Sequence, residues 1–316
     1  MKVSNFLPLI GVGIFLYLLL QIDVAQVASL IVQISIPLFA LAVGVTFIDI
    51  VIKAFKWQVI FNSYNIPVPF TRFLKAWIVG LSLSLITPGK IGDFAKAYYL
   101  KDKAPVGKGL TTVMADRVID LLTLFVLTII GLSLFATIYS SNAALLISTY
   151  ILFSAFVLAI FVFSRKSVAS FMLRPLYHRT VPEKYKEKMK GVYDDFYSGI
   201  AIILARKRVV ISVILLTFLV WTGTILSIYL IILSLGITVP LNILFVIFPV
   251  ITLLEALPIS VSGVGTRDAA LIFFFGFVAV SAEMSVAVSL IYLLISYIFA
   301  GTGFLLWYKE PIKMTP

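Results

Sequence analysis

Two short stretches of the chain combine residue types that can hold an anion. The first reads Thr87-Pro88-Gly89-Lys90-Ile91-Gly92-Asp93 and the second Pro258-Ile259-Ser260-Val261-Ser262-Gly263-Val264-Gly265-Thr266-Arg267-Asp268. Each runs from an apolar segment through proline, small polar residues, paired glycines, a cation and an aspartate into a second apolar segment. A helix broken by proline and glycine frees carbonyls and exposes the positive N-terminus of the half-helix that follows. Glycine also lets a ligand come close to the backbone. With Lys90 or Arg267 beside it, such a break becomes a place for an anionic group such as a phosphate. An ordinary loop between membrane spans would also hold proline and glycine. The functional signal is the matched pair rather than either break alone.

Further charges surround these breaks. Asp93, Glu255, Arg267 and Asp268 lie in or beside apolar segments. An unpaired charge at membrane depth costs about 3 kcal/mol or more, which makes each a functional candidate. Arg267 can also serve as a structural tie to Glu255 or Asp268. Asp116, Arg117 and Asp120 precede an apolar run. They read either as a juxtamembrane cap or as a headgroup contact. Asp49 is open to either kind of role. His178 stands alone in a chain without cysteine, so the sequence offers no transition-metal site, and no cofactor is expected. Asp194-Asp195 reads as a solvated pair.

The elements that must position these residues are membrane helices. Of the 316 residues, 61% are hydrophobic and only 12% are charged, and the mean hydropathy is +1.12. A soluble chain of this size needs more polar surface. Residues 121–164 and 209–254 contain no Asp, Glu, Lys or Arg. The reading is an all-α, polytopic helical bundle. Full spans are expected at Asn5–Gln21, Ile34–Ile52, Ile119–Tyr139, Ala143–Phe163, Val209–Leu233 and Met284–Trp307. Phe73–Ile86, Leu241–Pro258 and Ala269–Val280 are too short or too broken for the roughly 17–25 residues that a crossing needs. The N-terminal apolar run has no small-residue cleavage site after it and reads as a retained span.

Charge sets the orientation. Residues 53–117 hold 10 of the 25 basic residues and residues 165–208 hold 11. The positive-inside rule places both segments, the N-terminus and the C-terminus in the cytoplasm. This bias accounts for the net charge of +11, and no aromatic-interleaved groove points to nucleic acid. If Phe73–Ile86 crossed fully, the basic stretch after it would lie outside. A re-entrant hairpin over 73–101 avoids that, because broken backbone is tolerated where it is buried in protein or lines a cavity. A second hairpin over 241–280 fits entry from the other side, although two full crossings there satisfy the same parity. The pattern is that of inverted repeats at 34–139 and 209–307. Between them, residues 165–208 form a connector. In it Tyr185, Met189, Val192, Phe196, Ile200 and Ile203 recur at helical spacing, marking an amphipathic helix.

The two breaks, together with Ala115-Asp116-Arg117-Val118-Ile119-Asp120, resemble the transmembrane-domain family of lysylphosphatidylglycerol synthases/flippases. Members usually carry glutamate where this chain has Asp93, Asp116 and Asp268; aspartate keeps the charge and shortens the reach. The resemblance implies a flippase-like membrane protein without the soluble aminoacyltransferase domain, so synthase activity is not expected. It implies functional roles for Pro88, Gly89, Lys90, Gly92, Asp93, Asp116, Arg117, Gly263, Gly265, Arg267 and Asp268. The expected activity is movement of an anionic phospholipid or polyprenyl-phosphate-linked lipid between leaflets of the cell membrane. Anionic membrane lipids are the expected partners, with a second copy of the chain or envelope-synthesis enzymes as further ones. A membrane-embedded enzyme acting on a lipid headgroup and a non-transporting scaffold are the alternatives.

Overall fold

The structure is a computed structural model that describes residues 7–139, 143–168, 170–171, 183–255 and 259–309. Lys2, His178, Pro258 and Lys313 lie outside the described residues. Every regular element among those described is helical. In order they are α1 (Leu7–Leu19), α2 (Val24–Val32), α3 (Ile36–Phe61), a single 3₁₀ turn (Asn62–Tyr64), α4 (Phe70–Ile86), a 3₁₀ segment (Pro88–Leu100), α5 (Val106–Tyr139), α6 (Ala143–Ser164), α7 (Glu183–Ala205), α8 (Lys207–Ser234), α9 (Leu241–Glu255), α10 (Thr266–Gly276) and α11 (Ala282–Lys309).

Four helices, α3, α5, α8 and α11, are long and apolar enough to cross a bilayer. They contain most or all of the stretches expected to span at Ile34–Ile52, Ile119–Tyr139, Val209–Leu233 and Met284–Trp307. Of the stretch expected to be one span at Asn5–Gln21, Leu7–Leu19 form helix α1, and Asn5 and Phe6 lie outside the described residues. Helix α1 meets α2 at a 90° bend, and the pair would count as a fifth crossing. Asp23 makes this bend by capping α2, accepting hydrogen bonds from the Ala25 and Gln26 amides at 2.9 and 3.1 Å. Helix α6 has 22 residues. The two short arms remain short: α9 has 15 residues and α10 has 11.

Two helices overrun the ends that hydropathy predicts. Helix α3 continues to Phe61, which places Lys53 and Lys56 inside it. Helix α5 begins at Val106, so Asp116, Arg117 and Asp120 stand well within the helix and do not cap it. The cause is tertiary packing. Along residues 106–112 of α5, Gly107 and Gly109 lie against Val192 and Ala97, and Thr111 Oγ1 donates to the Phe196 carbonyl at 3.1 Å. The expected connector helix is present as α7. Its Ile203 is buried against Ile60 of α3 and Val213 of α8.

Small residues let the helices touch backbone to backbone, as membrane packing favours. A Cβ on Gly131 of α5 would strike the Val246 carbonyl of α9. One on Gly303 of α11 would strike Ser82 and the Ile78 carbonyl of α4. Around these contacts the main apolar core gathers Phe135, Ile228, Phe248, Ile251, Phe274 and Phe275. A second core forms from Trp57, Phe61, Phe73 and Leu100 at the base of the α4 hairpin. There Arg72 donates to both oxygens of Asp102, at 2.7 and 2.6 Å. That bond holds the Asp102 carboxyl below the usual aspartate range.

Because the α5–α9 contact leaves no room for a side chain, Gly131→Val is expected to destabilise the bundle by about 1–3 kcal/mol. A fall in the thermal unfolding midpoint of detergent-purified protein measures it, and an unchanged midpoint would show that the two helices are not in contact there.

Candidate functional site

The first break begins where Thr87 leaves the helical region at φ −111°, ψ 132°. Its hydroxyl holds the turn together. Thr87 Oγ1 donates to the Leu83 carbonyl and accepts from the Gly92 amide, each at 2.8 Å. Pro88 and Gly89 open the 3₁₀ segment. A run of 13 residues in this conformation is unusual, since 3₁₀ stretches rarely exceed one turn. It persists because α4 lies directly against it. A Cβ on Gly92 would strike the Leu83 carbonyl, and one on Gly80 would meet Lys96 and Asp93. Lys90 takes φ +57°, a left-handed conformation that costs a non-glycine residue roughly 1 kcal/mol.

Returning along the segment, Asp93 and Lys96 enter a network of six charges. Asp93 Oδ2 is 2.7 Å from Arg117 Nε and 2.8 Å from Lys96 Nζ. Lys56 Nζ is 3.0 Å from Asp116 Oδ1 and pairs also with Asp120. Arg117 lies 3.9 Å from both Asp116 and Asp120. Three cations thus meet three carboxylates, and the cluster is neutral. Lys96 lies 5.5 and 5.4 Å from the ring centroids of Trp57 and Trp77. Lys56 and Lys96 are completely buried. Arg117 is the member most open to the outside, its side chain 34% exposed.

The second break is built on glycine. Gly263 and Gly265 take φ +76° and +84°. A Cβ on Gly263 would strike the Glu255 side chain, and one on Gly265 the Gly11 carbonyl of α1. Gly11 in turn donates its amide to the Ile259 carbonyl at 3.0 Å. Asp268 accepts from the Gly265 amide at 2.7 Å, which ties the first turn of α10. Arg267 is buried, and each of its three nitrogens donates a hydrogen bond. Its Nε donates to Ser289 Oγ at 2.8 Å and its Nη1 to the Ser262 carbonyl at 3.1 Å. Its guanidinium lies 5.1 Å from the Tyr292 ring centroid. Of the two partners expected for Arg267, Glu255 is within 3.9 Å, while Asp268 faces the backbone amide.

The two breaks meet. Lys90 Nζ of the first is 3.4 Å from Glu255 Oε1, and Ser262 Oγ of the second donates to the Leu85 carbonyl at 2.6 Å. A model of the family described as the lysylphosphatidylglycerol synthase TM region matches residues 7–302. The chain belongs to this family. It is therefore a multi-pass membrane protein of a family whose description ties it to lipid. Among similar proteins, a UPF0104 membrane protein of Methanothermobacter thermautotrophicus is 28% identical over 83% of this chain and 82% of its own length. A UPF0104 membrane protein of Pyrococcus horikoshii is 28% identical over 73% and 74%. One of Methanocaldococcus jannaschii is 24% identical over 93% and 91%.

The sequence-predicted residues separate. Asp93, Asp116 and Arg117 join one network; Lys90, Glu255, Gly263 and Arg267 gather where the breaks meet; Gly265 and Asp268 shape the first turn of α10; Pro88, Gly89 and Gly92 shape the first break. Sequence reasoning passed over Lys56, Lys96 and the ion-pairing role of Asp120. A signal existed: Asp49, Lys53 and Lys56 fall at i, i+4 and i+7, one face of α3, and Asp116 and Asp120 at i and i+4 of α5. Asp49 uses that spacing, pairing with Lys53 at 2.8 Å and accepting from Thr224 of α8 at 2.9 Å.

Removing one partner of a buried ion pair strands the other. Lys56→Met is expected to cost about 3–5 kcal/mol of stability, and Lys56→Met combined with Asp116→Asn should recover part of it. Unfolding in detergent checks both; equal stability of wild type and Lys56→Met would remove Lys56 from the network.

Proposed function

We propose that the protein is a flippase-like transporter that moves an anionic phospholipid, or a polyprenyl-phosphate-linked lipid, between the leaflets of the cell membrane. The observation that carries this reading is the contact between the two breaks around Lys90 and Glu255, inside an apolar helical bundle. Broken helices that meet within a membrane are a common way to build a transport site. The path would run between the segment at 34–139 and the segment at 209–307, read as inverted repeats with re-entrant arms at 73–101 and 241–280. The N-terminus, the 165–208 connector and the C-terminus would be cytoplasmic.

The two cations open to a ligand are Lys90, its side chain 45% exposed, and Arg117. They would neutralise the headgroup phosphate while the acyl or prenyl tails stay in lipid. Arg267 would act on the path by shape, because it is buried and held in place by Ser289 and Ser262. Burying a lipid phosphate without these cations leaves a charge unpaired at membrane depth.

The test is lipid movement in liposomes carrying the purified protein and a short-chain fluorescent anionic lipid. Loss of one charge-assisted contact, about 1.5–3 kcal/mol, predicts that Lys90→Gln and Arg117→Gln each slow equilibration roughly tenfold or more. Equal rates at equal protein incorporation would count against the site. Topology has its own check, because the chain contains no cysteine. A Lys90→Cys variant is expected to resist a membrane-impermeant thiol reagent added from outside; full labelling from outside would exclude the re-entrant reading of 73–101.

A further inference from the structure

Glu255 ends α9, and its carboxylate, 7% exposed, stands between two cations. Its oxygens divide them: Oε1 is 3.4 Å from Lys90 Nζ and Oε2 is 3.9 Å from Arg267 Nη1. The two cations differ in what else holds them. Arg267 is fixed by Ser289, Ser262 and the Tyr292 ring. Among the described residues, the one ion-pair partner of Lys90 is Glu255, and its side chain reaches the exterior. The other carboxylate of the second break, Asp268, accepts the Gly265 amide with Oδ2.

We propose that Glu255 is the resting counter-anion of Lys90 and competes with the anionic headgroup for it. This rests on the reading of the breaks as an anionic-lipid site. When a phosphate of a lipid headgroup arrives, Lys90 turns from Glu255 to the phosphate, and Glu255 closes on Arg267. Charge balances before and after: one carboxylate shared by two cations becomes two separate pairs. The left-handed backbone at Lys90, φ +57°, fits such a role, since strained residues persist where the surrounding structure holds them for function. Gly263 leaves the space in which the Glu255 side chain sits, because a Cβ there would strike it. Glu255 therefore sets affinity: it keeps the cation paired when no lipid is bound and weakens binding by the cost of its own displacement.

Binding of short-chain phosphatidylglycerol to the purified full chain, measured by calorimetry, tests this. The matched phosphatidylcholine and inorganic phosphate serve as the other two ligands. Glu255→Gln is expected to bind phosphatidylglycerol about tenfold more tightly, a coupling of ordinary size between linked equilibria. In a Lys90→Gln background the gain should vanish, because the two side chains act as one unit. Phosphatidylcholine, whose phosphate carries its own choline counter-cation, should gain less than phosphatidylglycerol. Glu255→Asp draws the carboxylate away from Lys90 and keeps a charge near Arg267, so it should also tighten binding and decides the matter if Glu255→Gln does not fold. If Lys90→Gln weakens binding while neither Glu255 variant tightens it, the counter-anion role is overturned and the anionic-lipid reading survives. If Lys90→Gln leaves phosphatidylglycerol binding unchanged, the reading itself falls. A gain seen with inorganic phosphate alone would overturn a lipid headgroup as the ligand.

Discussion

The structure depends on the neutralisation of charge away from water. Lys56 and Lys96 are fully buried among apolar helices, where an isolated ammonium is untenable. Three carboxylates offset them and Arg117, and those carboxylates come from two elements: Asp93 from the 3₁₀ segment, Asp116 and Asp120 from α5. The cluster therefore joins α3, α5 and the broken arm at one point. No one of these elements can move far without separating a pair. The aromatic walls Trp57 and Trp77 exclude water from the same point, which strengthens each attraction and raises the penalty for losing one.

Neutralisation needs close approach, and close approach needs small residues. Gly80 lets Lys96 and Asp93 lie against α4, and Gly92 brings the 3₁₀ segment onto the Leu83 backbone. In the second break the same device recurs with a different geometry. Gly263 and Gly265 turn the chain with positive φ, and Gly265 meets the Gly11 backbone of α1. The short N-terminal helix thus closes over the second break through a glycine–glycine contact. Its 90° bend into α2 coincides with the Asp23 cap at the start of α2.

What the sequence made legible followed from strong local signals. Long uncharged runs marked the main helices, and the proline–glycine pairs marked the breaks. The short arms were recognisable by length alone, and Arg267 and Glu255 stood out because charges are scarce there. Helix ends were not legible. Lys53 and Lys56 look like the cytoplasmic side of a span, and hydropathy has no means to see that Asp116 and Asp120 lie opposite Lys56. The start of α5 was hidden for the same reason: its first turns are helical because α7 and the 3₁₀ segment pack on their glycines and threonines. The bend after α1 was hidden because hydropathy does not register a single capping aspartate such as Asp23.

The two charge groups differ in one respect that bears on how they divide their work. The six-charge network is neutral and largely closed, with Arg117 and Asp120 at its edge at 34% and 22% exposure. The meeting point of the breaks is open, because Lys90 is 45% exposed and holds Glu255 at 3.4 Å, longer than the 2.7–2.9 Å of an ideal charge-assisted hydrogen bond. A closed network resists exchange, since every ion that leaves strands its partner at a cost of several kcal/mol. An open, loosely held pair exchanges cheaply, since Glu255 has Arg267 to fall back on. Stability and ligand exchange make opposite demands on an ion pair. Residues Lys90 and Asp93 are three apart on one 3₁₀ segment, so this short stretch carries one end of each group. On the proposed reading, that places the exchanging cation on a segment whose far side is anchored by the closed network, and a headgroup can be passed along Lys90 without unpairing Asp93.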